Sequence, residues 1–186
     1  MTDRYAWVQR ILHWLIAVMI LGLFIAGSYM SDIGFGPGVS KADAAFRDFL
    51  YGAHKSAGAL LLALIALRLF FRMIFGAPPP PALPPMQALA ASLAHIGLYA
   101  LMIATPLLGW LATSSGGFLT LKPIVDAELP ALVEKGWMPA KQLFELHDLA
   151  ATALVALAAL HAAAGLYHLS RGDGVFTRMW FGRTAR

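Results

Sequence analysis

The chain has 186 residues, 59% of them hydrophobic and only 13% charged, with a formal net charge of +4 and a mean hydropathy of +0.68. That balance excludes an ordinary soluble domain of this length. The absence of cysteine excludes thiolate-held iron–sulfur clusters, thioether-linked haem and disulfides.

Charges avoid four windows, 11–30, 53–75, 88–112 and 147–170, each long enough to cross a hydrocarbon core of about 30 Å as a helix. The first is read as a span and not a cleaved signal, because its apolar run exceeds the roughly 7–15 residues of a signal's apolar region and no clear small-residue cleavage site follows. The loop at 31–52 opens on Gly34, Gly36, Pro37 and Gly38 and closes on a Lys/Asp-bearing stretch that predicts a short surface helix. The second span carries His54 and Lys55 at its start and Arg68 and Arg72 near its end, where long side chains reach the interface. Pro78 to Pro81, Pro84 and Pro85 make a stiff extended strap that cannot be helical. The third span holds His95 and Pro106, and the proline should kink it by removing a backbone hydrogen bond. The last loop, 113–146, is the longest and most polar, and the fourth span carries His147, His161 and His168. No repeat or second domain is visible. Residues 1–186 read as a single membrane domain, an all-α integral membrane four-helix bundle whose short connections make neighbouring helices antiparallel.

Orientation follows from Lys and Arg. The side with both termini holds Arg4, Arg10, Arg68, Arg72, Arg171, Arg178, Arg183 and Arg186 against Asp3 and Asp173. The other side holds Lys41, Arg47, Lys55, Lys122, Lys135 and Lys141 against Asp32, Asp43, Asp48, Asp126, Glu128, Glu134, Glu145 and Asp148. The more basic side faces the cytoplasm, so both termini are expected there. The net charge thus reflects topology. No basic patch interleaved with aromatics points to nucleic acid, and the lipid bilayer is the implied partner.

Depth organises the histidines. His147 and His161 share one helix face about 21 Å apart, and His168 continues it seven residues further on. With alternating helix directions, His54 matches His147 in depth on the outer side, and His13 matches His161 on the inner side. A b-type haem held between helices needs two axial imidazoles at matching depth, so the pattern points to two haems b with His13, His54, His147 and His161 as iron ligands. Gly58, Ala151 and Gly165 lie one turn beyond three of them and leave room for a flat macrocycle. Arg10, Arg68, Arg72 and Lys55 stand where propionates would emerge. Other chemistry competes. A single intramembrane histidine is often only hydrogen-bonded to a neighbouring helix. Zinc wants its ligands clustered at one depth, and a proton relay would recruit buried carboxylates that no span interior contains.

Several segments resemble the bacterial cytochrome b561 family. They are Tyr5 to Trp14 (YAWVQRILHW), His54-Lys55-Ser56-Ala57-Gly58 with Arg68-Leu69-Phe70-Phe71-Arg72, the proline strap, His95 within SLAHIGLYALMIATPLLGW, and His147-x13-His161-Ala-Ala-Ala-x-x-x-His168. The resemblance covers nearly the whole chain in the right order. It implies a four-helix, multi-pass protein of the bacterial inner membrane with two haems b, ligated by His13 and His161 toward the cytoplasm and by His54 and His147 toward the periplasm. Within the family the chain looks most like the superoxide oxidases, which pass electrons from superoxide to ubiquinone. That likeness puts His168 at the quinone site, and His95, at similar depth, is a candidate beside it. Lys55, Lys122, Lys135 and Lys141 are candidates for steering superoxide, an anion, although their side carries more acid than base. The competing reading is a non-catalytic conduit that passes electrons between a partner dehydrogenase and the quinone pool. A haem-free scaffold is a third.

Overall fold

A computed structural model describes residues 4–182. Asp3, Arg183 and Arg186, counted in the charge balance, lie outside the described residues. Four long helices account for most of the chain: α1 Trp7–Ile33, α2 Lys41–Phe75, α3 Pro85–Gly116 and α4 Ala140–Arg171. A single 3-10 turn, Phe176–Arg178, follows, and an isolated bridge between Thr120 and Glu128 is the sole β pairing among the described residues. All four helices are long and apolar enough to cross a membrane. At 27 to 35 residues they are about 40–50 Å long and project beyond the hydrocarbon core.

The helices outrun their apolar windows because local chemistry, not hydropathy, sets their ends. The stretch 41–52, expected as a separate surface helix, is instead the first three turns of α2. Ser40 starts it by accepting the Asp43 backbone N–H at 3.1 Å. Pro85 occupies the first turn of α3, where its missing N–H costs nothing. Pro78 to Pro84 stay non-helical, as expected, but Pro85, expected in the strap, is helical, because the first turn of a helix needs no N–H there. The fourth helix begins at Ala140, two turns before His147.

The bundle is two tightly packed hairpins, α1 with α2 and α3 with α4, that meet each other more sparsely. Leu12 and Ile16 interlock with Leu61 and Ile65 in the first hairpin. In the second, Gly97 has no Cβ to obstruct the Leu157 side chain packed against it. Few large side chains are buried, whereas Trp7, Ile11, Leu15, Val18, Leu21 and Ile25 are exposed along α1. In water such a surface would aggregate; in a bilayer it is the lipid-facing side, because a helix satisfies most of its backbone groups internally. Both described ends of the chain lie at one end of the bundle. There the Tyr5 N–H donates to the Arg178 carbonyl at 3.3 Å and Trp14 Nε1 donates to the Met179 carbonyl at 2.9 Å.

Candidate functional site

Two imidazole pairs bridge the seam between the hairpins. His54 on α2 and His147 on α4 stand with ring centroids 6.1 Å apart and planes at 83°, toward the loop end. His13 on α1 and His161 on α4 are likewise 6.1 Å apart at 72°, toward the end that carries the termini. Two imidazoles that ligate one metal from opposite sides stand about 6 Å apart, from bonds of about 2 Å and a ring radius of about 1 Å on each side. Both pairs match that separation. Among the described residues no group of three or more His, Asp or Glu could hold a metal ion.

Glycines seat the outer pair. A Cβ on Gly109 of α3 would lie 3.1 Å from His147 Cε1 and Nδ1, and one on Gly27 of α1 would lie 3.3 Å from His54 Cε1. With no side chain at Gly109, the His147 ring comes close enough for Nδ1–H to donate to the Thr105 carbonyl, one turn earlier on α3, at 2.8 Å. A carbonyl can only accept, so the proton sits on Nδ1 and Nε2 is free to ligate. His54 Nδ1 and Thr105 Oγ1 are buried without a hydrogen-bond partner, two unspent polar atoms at the same pair. A cavity of about 260 Å³ opens beside His54, lined largely by small residues, Gly22, Ala26, Ala53 and Ala57. The space one turn beyond His54, at Gly58, is open. At Gly165 the expected room is not open: Phe176, from the segment after α4, packs 3.6 Å from where its Cβ would be.

His95 stands with its ring 5.2 Å from that of His161. It neighbours the inner pair, an arrangement that the depth estimate, which set it beside His168, did not anticipate. His168 Nδ1 is 2.6 Å from Asp173 Oδ2. The imidazole beside it holds the Asp173 carboxyl below its ordinary range.

The arginines are partly spent on structure. Arg10 donates to the Trp180 carbonyl at 2.9 Å and lies over the Phe181 ring, yet its Nε is buried without a partner. Arg68 donates to the Gln9 carbonyl at 2.7 Å and lies within electrostatic reach of His13, His95 and His161. Arg72 donates to the Gly76 carbonyl at 3.2 Å and lies over the Tyr5 ring.

The lysines are less available than their sequence positions implied. Lys55 Nζ donates to the Phe118 and Thr120 carbonyls and so ties the last loop to α2. Lys122 pairs with Asp126 at 2.8 Å, and Lys141 with Glu145 at 3.8 Å. Among the described residues Lys135 alone of the four makes no ion pair or hydrogen bond through Nζ, and its stem packs on Gly117.

Sequence reasoning missed Gly27, Gly109, Thr105, Asp173 and Gln9. Gln9 is buried, and its amide donates to the Gly76 carbonyl at 3.1 Å, joining the start of α1 to the end of α2. Gly27 and Gly109 lie at the depth of an outer histidine, but nothing in the sequence sets them apart from the small residues that any membrane helix uses for packing. Asp173 follows a helix-ending glycine and looked like loop.

A membrane-spanning bundle with two imidazole pairs across one seam, no cysteine and a space lined largely by small residues beside His54 is the scaffold of a membrane electron-transfer protein of the b type. The chain belongs to the prokaryotic cytochrome b561 family, whose model matches residues 4–182. It is 31% identical to cytochrome b561 homolog 2 of Escherichia coli K12 over 185 residues, 95% of this chain and 91% of that protein. It is 32% identical to cytochrome b561 homolog 1 of the same organism over 180 residues, 89% of this chain and 90% of that protein. Over 112 residues, 59% of this chain and 57% of the relative, it is 29% identical to a Yersinia pestis protein named probable superoxide oxidase CybB. Family membership implies binding of haem b, and the imidazole donor set and the small residues beside it fit that group.

Proposed function

We propose that the chain is a di-haem b electron-transfer protein of the bacterial inner membrane that oxidises superoxide to oxygen at one surface and reduces ubiquinone at the other. The observation that carries the di-haem reading is the pair of cross-seam imidazole couples, each 6.1 Å apart, at opposite ends of the bundle, and the likeness to the Yersinia pestis protein named probable superoxide oxidase CybB supports superoxide as the donor. Haem b, when bound, supplies a one-electron carrier near each surface. His54 and His147 would hold the group on the periplasmic side and His13 and His161 the one on the cytoplasmic side, with both termini cytoplasmic by the excess of Arg there. The protein's part is to fix axial ligation, tautomer and local dielectric. Arg10 and Arg68, each with guanidinium nitrogens left over from its backbone bond, suit propionates of the inner group, and Arg72 lies next to them. His168 would hydrogen-bond a quinone carbonyl. His95, whose ring stands 5.2 Å from that of His161, is the second candidate for the quinone and also neighbours the inner ligand.

The conduit reading has its own support. Lys55, Lys122 and Lys141 are engaged with carbonyls or acids, which weakens steering of an anion and leaves the loop end suited to a protein donor. The deciding experiment mixes the purified, haem-loaded protein with superoxide and a short-chain ubiquinone. Quinone reduction without any partner supports the oxidase. Reduction that needs an added dehydrogenase supports the conduit.

A further inference from the structure

The segment after α4 folds back beneath His168. Gly172 adopts the left-handed conformation, φ 64° and ψ 21°, and caps the helix by donating its N–H to the Leu169 carbonyl at 3.1 Å. That turn brings Asp173 against the last helical turn. Its Oδ2 meets His168 Nδ1 at 2.6 Å, and its Oδ1 accepts the Val175 N–H at 3.2 Å, so the carboxylate is held at both oxygens. The imidazole is largely covered, with 14% of its side-chain surface exposed, whereas the carboxylate at 36% meets water. Asp173 is also the sole carboxylate at this end of the bundle among the described residues. The charged and titratable groups that face the pair are Arg171 and Tyr167 on α4; of the neighbouring elements, the 3-10 turn carries Arg178 and α1 carries Arg10, which is spent on the Trp180 carbonyl.

A carboxylate on Nδ1 fixes the imidazole tautomer and orientation and leaves Nε2 as the one nitrogen able to serve another partner. His168 lies seven residues past His161 on the same helix face, about 10 Å further toward the surface. Nothing about ligating His161 requires Asp173, and a helix C-terminus needs no acid, since a carboxylate opposes the dipole there.

We propose that Asp173 is a positioning residue for proton delivery to a quinone, holding His168 so that its Nε2 hands protons to the quinone oxygens. The inference rests on the quinone-reducing reading above. The balance is two electrons and two protons per quinone, with the electrons drawn from two superoxide ions that leave as dioxygen. In each proton step the Nε2–H bond of the imidazolium breaks and a quinone O–H bond forms. The neutral ring keeps Nδ1–H on Asp173, and water returns a proton to Nε2 before the second step. Asp173 stays ionised throughout, as the carboxylate of a carboxylate–imidazole dyad does.

The test uses the full-length, haem-loaded protein with a short-chain ubiquinone as probe, and compares Asp173→Asn, Asp173→Glu and His168→Gln. Asp173→Asn is expected to keep the two-haem spectrum, lower the maximal rate of quinone reduction roughly 10–100-fold and leave the quinone KM nearly unchanged. Asp173→Glu should restore the rate to within a few-fold of the parent. In protein labelled with ¹⁵N-histidine, His168 should be protonated on Nδ1 in the parent and change its tautomer signature in Asp173→Asn. Full turnover and an unchanged signature in Asp173→Asn would overturn the inference, as would loss of haem in that variant. Loss of turnover in His168→Gln with full turnover in Asp173→Asn removes the dyad and keeps the quinone reading. Full turnover in His168→Gln removes both.

Discussion

At the scale of single residues, the proposed reading puts the chemistry on four imidazoles, with two glycines packed against the outer pair. Replacing His54 or His147 by Ala should release the outer haem alone, and replacing His13 or His161 should release the inner one, so a pyridine haemochrome assay should fall from two haems per chain to one. His95→Ala should keep both. Gly109→Ala is a sharper probe, because the added methyl meets two His147 ring atoms at 3.1 Å and presses on the ring whose Nδ1–H reaches Thr105. It should weaken retention of the outer haem roughly 10–100-fold and broaden its low-spin electron paramagnetic resonance signal. Gly27→Ala, at 3.3 Å from a single ring atom, should do less. The depth match of the histidines was legible in sequence because helix rise and scarce charges set a common ruler. The seats were not, since Gly27 and Gly109 read as the small residues any membrane helix uses for packing.

At the scale of elements, the loops close the bundle at both ends. Near the outer pair the last loop lies directly on α2, where a Cβ on Gly52 would collide with the Lys122 carbonyl and Lys55 grips two carbonyls of the same loop. Gly52→Ala should therefore lift residues 118–128, costing about 1–3 kcal/mol, seen as a lower Tm and faster proteolysis of that loop. At the other end the segment after α4 is held by Asp173 on His168 together with the bonds from Tyr5, Trp14 and Arg10 to the Arg178, Met179 and Trp180 carbonyls. The Asp173 carboxyl is lowered in the folded chain, so the contact adds stability above the ordinary carboxylate range and loses it only as pH falls through the lower folded value. Trp180 packs on Trp14 at 5.8 Å, so tryptophan fluorescence should report this segment detaching only below about pH 4. The spans were readable from apolar windows and the stretch at 41–52 was readable as helix, but its continuity with the second span was not, because Lys41, Asp43, Arg47 and Asp48 break the apolar run that hydropathy follows. The loop contacts join residues more than 60 positions apart, and periodicity carries no information at that range.

At the scale of the whole molecule, charge decides between the two donors. The loop end carries six basic and eight acidic side chains, all among the described residues, and several of the bases are already committed there, Arg47 to Asp48 and the Gly34 carbonyl, Lys122 to Asp126 and Lys141 to Glu145. If superoxide is the donor, its approach depends on what positive potential survives this pairing. Reduction of the haems should then slow as salt rises past about 0.1 M, where the Debye length shrinks to about 10 Å. Lys135→Gln should lower the association rate most among the four lysines, because Lys122 and Lys141 are neutralised locally and Lys55 serves the loop. A conduit for a protein donor behaves differently: reaction with superoxide is slow and indifferent to salt and to all four lysines. Reduction by a dehydrogenase is fast at low salt, and fastest when the donor presents a basic face to this acidic one. Stopped-flow absorbance of the haem bands at a series of ionic strengths, with superoxide alone and then with a dehydrogenase, separates the two. A superoxide rate far below the diffusional range and unmoved by Lys135→Gln would assign the protein to the conduit.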